Sequence, residues 1–256
     1  MTEVISELQR ERVYKLAASG TRSDGRTPEE VRPLTIEKNY IKNAEGSARI
    51  KLGNTDVLVG VKVELGVPYP DTPDSGVLST GAELIPMASP IFESGPPRPD
   101  AIELARVVDR GIREAHTIDF KALCVTPKEK VWICFVDMHV LDYDGNLFDA
   151  ASYGAMSALT CTKVPASKIG KEDYPLPIQH YPISVTAAKI RDIIVIDPNL
   201  QEEQIADARL TIATDENGDI RAMQKGLRGS FSYEEISRVI GLALKASEVI
   251  RTKIKA

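Results

Sequence analysis

The sequence predicts an α+β fold made of two successive sheet-then-helix units, an internally duplicated plan. Three observations carry this expectation. Short strand-like runs separated by turn residues come in two groups, each group is closed by a helical pattern, and a segment rich in Lys and Pro, residues 163–177, divides the groups. At 256 residues the chain is long enough to bury a full core. The expected organisation is an N-terminal helix and crossing segment over residues 1–30, a first half over 31–165 and a second half over 178–256.

Met1 to Gly20 sets Ile5, Leu8, Val13 and Leu16 among Glu3, Glu7, Arg10, Glu11 and Arg12, which predicts a charged amphipathic helix rather than a secretory signal. Thr21 to Arg32 is a polar, glycine-containing crossing segment. Strand patterns follow near Leu34, at Ala48 to Leu52 and at Val57 to Glu64, with Gly53-Asn54 as a hairpin turn. Pro68, Pro70 and Pro73 interrupt the pattern, a strand is expected around Ala82 to Pro86, and Pro90, Pro96, Pro97 and Pro99 mark a loop. Asp100, with Glu103 completing a capping box, predicts the start of a helix reaching about Thr117. Its Ile102, Ala105, Val108 and Ile112 follow the helical period and form the expected buried stripe.

Strands recur at Ala122 to Val125 and Val131 to Leu141. Asp144-Gly145 then reads as a turn into a small-residue helix from about Asp149 to Thr162, with Asp149 as its N-cap. In the second half, strands are expected at Ile183 to Ala187, Asp192 to Asp197, Arg209 to Thr214 and Asp219 to Lys225. Ser232 and Glu235 cap a closing helix whose Ile236, Val239, Ile240, Ala243 and Ile250 face inward.

Composition excludes several function classes. With 32 Lys and Arg against 37 Asp and Glu, the net charge of −5 has the wrong sign for holding nucleic acid by bulk charge, so any such site is a local basic patch. Aromatic residues make up 5%, which leaves little for base stacking. Cys124, Cys134 and Cys161 are odd in number and lack CxxC spacing, which argues against a disulfide framework and a zinc site and for reduced, buried thiols. Val57 to Val63 is interrupted by Lys62 and is far too short to cross a bilayer, so a soluble cytoplasmic protein without a membrane partner is expected. Asp142 to Asn146 superficially resembles a calcium loop, but Tyr153 stands where the closing glutamate belongs. His116, His139 and His180 show no ligand spacing, and no glycine-rich phosphate loop of Walker type is present; no metal or cofactor is expected.

Arg106, Arg110 and Arg113 fall on one helix face opposite the apolar stripe, a pitch at which guanidinium groups can contact successive phosphates. Glu103, Asp109 and Glu114 share that polar side and can absorb the arginines in ion pairs one helical turn apart. The residues alone leave both readings open.

The run Arg22-Ser-Asp-Gly-Arg26, then Arg32-Pro33-Leu34, Gly46-Ser47-Ala48 and Leu52-Gly53-Asn54-Thr55, resembles the opening of the RNase PH family of phosphorolytic exoribonucleases, and the likeness continues to the final helix. It implies the RNase PH-like fold, of the ribosomal protein S5 domain 2-like type. Val67-Pro68-Tyr69 to Asp74, Phe92 to Pro97, Glu103 to Arg110 and Val140 to Asn146 are similar to one branch of that family, the non-catalytic ring subunits of the archaeal exosome. That resemblance implies several partners. They are a catalytic RNase PH-like subunit in a hexameric ring (a trimer of heterodimers), RNA-binding cap proteins, and single-stranded RNA held in part by Arg106 and Arg110, with Arg113 on their flank.

Active relatives hold phosphate on a turn reading Asp-Gly-Gly-Thr-Arg-Ser/Thr-Ala, to which Asp144-Gly-Asn-Leu-Phe-Asp-Ala150 corresponds here. Phe148 takes the arginine position and Asp149 the hydroxyl position. Phenylalanine lacks the guanidinium fork that grips phosphate, and a carboxylate repels a dianion. The family's three evenly spaced acids align with Asp197, Glu203 and Arg209, where the last carboxylate has become a cation expected to pair with Asp207 or another acid. Glu202, Glu203 and Asp207 are expected on a solvated or ion-paired surface. These departures imply a chain without catalytic residues. The alternatives are a divergent active phosphorolytic exoribonuclease using Asp197 and Glu203, and a small-ligand-binding or kinase-like protein, against which the missing phosphate loop argues.

Overall fold

The computed structural model describes residues 7–256. Ile5 and the start of the expected N-terminal helix lie outside the described residues. Helix α1 (Glu7–Ala18) buries Val13 and Ala17 and leaves Leu8 exposed, so its inward face is narrower than the sequence pattern suggests.

The first sheet contains β1 (Leu34–Lys38), β2 (Gly46–Leu52), β3 (Thr55–Gly66), β4 (Val77–Leu84), β5 (Cys124–Thr126) and β6 (Lys130–Asp142). The strands run in the order β1-β2-β3-β6-β4, with β5 also paired to β6. Strand β4 is parallel to β6, and the other pairings are antiparallel. Leu52 pairs with Thr55 across Gly53-Asn54, so the hairpin forms where the turn residues place it. Alternation of Val57, Val59, Val61 and Val63 sends one face of β3 into the core. Strand β4 begins at Val77, ahead of the expected Ala82, because polar Ser79-Thr80-Gly81 hides a segment whose Val77 and Leu78 are buried.

Helix α2 (Pro99–Glu114) starts on Pro99, with Arg98 at the N-cap and no side-chain cap. Asp100 is therefore inside the first turn rather than capping it, because proline already carries the helical φ and has no N–H to satisfy. The helix stops short of Thr117 as His116 turns to φ 50°. Its buried stripe is Ala101, Leu104, Ala105, Val108, Gly111 and Ile112, whereas Ile102 is 48% exposed. Helix α3 (Leu147–Thr160) is buried at every residue from Phe148 to Leu159 and packs against β2 and β3. Its small residues permit this approach: a Cβ on Gly154 would stand 2.6 Å from the Val59 side chain. Residues 163–177 form a small two-stranded sheet, β7 (Lys163–Val164) with β8 (Tyr174–Pro175), and a 3₁₀ turn at Ala166–Ile169.

The second sheet is antiparallel, in the order β10-β9-β11-β12, from β9 (Ile183–Ile190), β10 (Ile193–Ile196), β11 (Ala208–Thr214) and β12 (Ile220–Gly226). Helix α3 also packs on β9, so one buried helix joins the two sheets. Between β10 and β11 lies α4 (Leu200–Ile205), closed by an Asn199–Glu202 capping box. The closing helix α5 (Tyr233–Lys255) has the Ser232–Glu235 capping box and buries Val239, Ala243 and Ile250, with Ile236 and Ile240 packed alongside. All three cysteines are free. Only Cys134 is fully buried, which pushes its thiol up to about 12, while Cys124 and Cys161 are half-buried. Among the described residues, no helix is long and apolar enough to cross a membrane.

Candidate functional site

The turn between β6 and α3 sits tightly on the start of α4. Gly145 has φ 84°, and a Cβ there would lie 2.5 Å from the backbone of Asn199. Asn146 follows in the left-handed region at φ 54° and is the N-cap of α3 without a side-chain cap. The cap expected of Asp149 does not form. This carboxylate is one helical turn farther in, wholly buried, and accepts from Thr186 N at 2.9 Å and Thr186 Oγ1 at 2.7 Å. Asn146 Nδ2 donates both to Asp149 Oδ2 at 2.8 Å and to Asp197 Oδ1 at 2.7 Å, joining two buried acids.

Those acids have opposite electrostatics. Burial pushes the Asp149 carboxyl up to about 7, against the hydrogen bonds from Asn146 and Thr186. Burial also acts to raise Asp197, but Arg32, Arg26 and Asn146 outweigh it and hold that carboxyl below the usual range. Arg32 donates its backbone N–H and Nε to Asp197 Oδ2 at 2.7 and 3.0 Å, and its Nη2 to Oδ1 at 2.7 Å. The crossing segment thus delivers its cations onto the second half. Arg22 binds the Asp197 carbonyl at 2.7 Å and Glu202 Oε1 at 2.8 Å. Glu202 is 1% exposed, so it is no surface acid.

Phe148, Glu203 and Arg209 meet beside this centre. The Arg209 guanidinium carbon lies 4.2 Å from the centroid of the Phe148 ring. Its Nη1 is 3.5 Å from Glu203 Oε1 and its Nη2 is 3.1 Å from Glu103 Oε1. Glu203 further accepts from Asn146 N at 3.0 Å and Tyr143 Oη at 3.1 Å. Of the acids expected to meet Arg209, Asp207 is not the one that does: it accepts the Arg191 backbone N–H at 2.7 Å, and Arg209 pairs with other acids, Glu203 and Glu103. This donor set does not fit a divalent cation: Asp197 is saturated by arginine and asparagine donors, and Glu203 faces a guanidinium.

The arginine face of α2 is divided. Arg106 and Arg110 are exposed and make no ion pair among the described residues. Arg113 is tied to Asp109 Oδ1 at 2.8 Å and to the Leu78 carbonyl at 3.2 Å. All three border a groove of about 380 Å³ with Thr80, Gly81 and Pro97. Sequence reasoning missed Asn146, Arg32 and Gln224 as parts of this region. Asn146 carries a readable signal, since the family's turn has a second glycine there and this chain has a residue tolerant of positive φ.

Residues 30–165 match domain 1, and residues 180–246 domain 2, of the 3′ exoribonuclease family, RNase PH. With the joined sheets and the altered turn as described, the chain belongs to the RNase PH family. It is 52% identical over 254 residues to the exosome complex component Rrp42 of Methanocella arvoryzae, covering 99% of this chain and 98% of that protein. It is 51% identical over 251 residues to the protein of the same name from Thermoplasma acidophilum, covering 98% and 96% respectively. Among solved structures it is similar to a chain of the Archaeoglobus fulgidus exosome with RNA bound to the active site. The TM-score is 0.94 and the identity 45%, over 96% of this chain and 98% of that one. The fold extends to rice Rrp46, at TM-score 0.68 and 22% identity.

Proposed function

We propose that this chain is a non-catalytic subunit of an archaeal exosome, an RNA-degrading 3′-to-5′ phosphorolytic complex. It pairs with a catalytic RNase PH-like subunit in a hexameric ring, beneath RNA-binding cap proteins, in the cytoplasm. The observation that carries the reading is the Arg209 guanidinium stacked 4.2 Å from Phe148 and bracketed by Glu203 and Glu103. Where active family members present an arginine and a third carboxylate, this chain has an aromatic ring covered by a cation whose charge is already met. Asp149 adds no hydroxyl for phosphate, since it is buried against Thr186. Neither the phosphate donors nor the proton-moving acids of a phosphorolytic site are assembled.

The arginine face supplies what remains. Arg106 and Arg110 have no acid partner among the described residues, so their charges are open to phosphate, with Arg113 on their flank. Contacts of this kind position RNA without reading its sequence. The test is reconstitution with the catalytic homologue, following ring assembly by analytical ultracentrifugation and RNA shortening in the same mixture. Arg106→Glu/Arg110→Glu should slow shortening while assembly stays intact. A chain that does not assemble, or a variant ring that shortens RNA at the wild-type rate, would overturn the reading.

A further inference from the structure

Glu103 precedes Arg106 by three residues and Arg110 by seven on α2, so all three lie on neighbouring parts of one helix surface. A glutamate one turn before an arginine is a favoured helix pair, and Glu103–Arg106 is the contact this sequence would make in isolation. The structure turns the Glu103 carboxylate elsewhere. Its Oε1 accepts from Arg209 Nη2 at 3.1 Å and from Gln224 Nε2 at 3.3 Å, donors on β11 and β12 of the second sheet.

Arg209 is well placed to win that competition. Its side chain is 13% exposed, stacked on Phe148 and steered by Glu203, so it is already ordered when it meets Glu103. Arg106 is exposed and would have to give up side-chain freedom to pair. The other acid one turn from Arg106, Asp109, is held by Arg113 at 2.8 Å. Both acids one turn from Arg106 are therefore engaged by a different arginine, while Glu114, one turn beyond Arg110, makes no ion pair among the described residues.

We infer that Arg209 is a positioning residue for RNA: by holding Glu103 against the second sheet, it keeps that carboxylate off Arg106 and leaves the α2 guanidinium groups open to phosphate. The inference rests on the reading that Arg106 and Arg110 hold phosphate. It gives the cation at the altered acidic position a task of its own, executed through Glu103 rather than by contact with RNA.

The test measures single-stranded RNA binding by the chain assembled with its catalytic homologue. Arg209→Gln should weaken binding about threefold to tenfold and lower the salt slope by about one, because a freed carboxylate competes for Arg106 and repels phosphate. Glu103→Gln should bind as well as wild type or tighter, and Arg209→Gln/Glu103→Gln should return to within about twofold of wild type. Arg209→Lys, which keeps the charge, should stay near wild type. A clamp that only braces the fold makes the opposite prediction: Glu103→Gln weakens binding as much as Arg209→Gln and rescues nothing. That pattern would overturn the inference. Should Arg209→Gln fail to fold, Gln224→Ala loosens the same carboxylate, and weakening that Glu103→Gln fails to relieve has the same meaning. Arg106→Ala/Arg110→Ala run alongside separates the two ideas, since unchanged binding there removes the phosphate-holding reading itself. A crystal structure of Arg209→Gln completes the test: Glu103 on Arg106 is expected, and Glu103 still on Gln224 alone would refute the competition.

Discussion

Replacing Asp149 by asparagine should flatten the pH dependence of stability while leaving the fold intact. Burial pushes this carboxyl from 3.8 up to about 7, so between those values the native chain binds a proton that the unfolded chain releases. With more protons bound in the native state, stability falls as pH rises; the contribution is fully present below the unfolded pKa and is lost as pH passes through the folded one. A pKa unit corresponds to about 1.36 kcal/mol, so the whole window is worth roughly 4 kcal/mol, of which about 2.5 kcal/mol lies between about pH 5 and about pH 8. In Asp149→Asn the new side chain would keep the Thr186 N and Asn146 Nδ2 bonds on its oxygen. Its amide group would face Thr186 Oγ1, which can turn to accept and still donate to Thr211 Oγ1, now 2.8 Å away. Asp197 and Asp215, held below the usual range, titrate in the opposite sense and at lower pH, below this window. Urea unfolding at the two pH values reads the difference as a shift in midpoint at constant slope. Wild type and D149N losing stability in parallel between these values would refute the assignment of a raised Asp149.

Two further outcomes follow from the same geometry. Arg22→Met strands Glu202, which is 1% exposed, and should cost about 3–5 kcal/mol, part of it recovered in Arg22→Met/Glu202→Met, where the Asp197 carbonyl and the Asn199 N–H still lose their partners; chemical denaturation reads both, and equal losses in the single and double variants would contradict it. Arg106→Glu/Arg110→Glu should lower the dependence of log affinity on log salt by about two, measured with a fluorescent oligonucleotide; an unchanged slope would mean these arginines touch no phosphate.

Much of the fold was legible because local chemistry and tertiary demand agree. Gly53-Asn54 makes a hairpin that the alternating valines of β3 hold in register, and Ser232–Glu235 caps α5 as its spacing requires. Where they disagreed, a competing local signal won. Pro99 displaced Asp100 as the start of α2, and the left-handed Asn146 moved the cap of α3 ahead of Asp149. Helix α4 is readable, since Asn199 and Glu202 form a capping box, yet Glu202 is expected with Glu203 and Asp207 on a solvated or ion-paired surface, and it alone of the three is fully buried. What reversed that was Arg22, some 180 residues earlier in the chain, whose approach no local pattern records. The altered site was legible as residue types at Phe148, Asp149 and Arg209. That Arg209 would cover Phe148 and reach Glu103 depends on how β11 packs beside α2, a tertiary fact without a sequence signature.

The most direct test is phosphate-dependent shortening of single-stranded RNA by this chain alone, by its catalytic homologue alone, and by the assembled ring, over matched protein concentrations. The chain alone should release no nucleoside diphosphate, and the assembled ring should be active. Shortening by the chain alone, lost when phosphate is withheld, would contradict the proposal that it is a non-catalytic subunit.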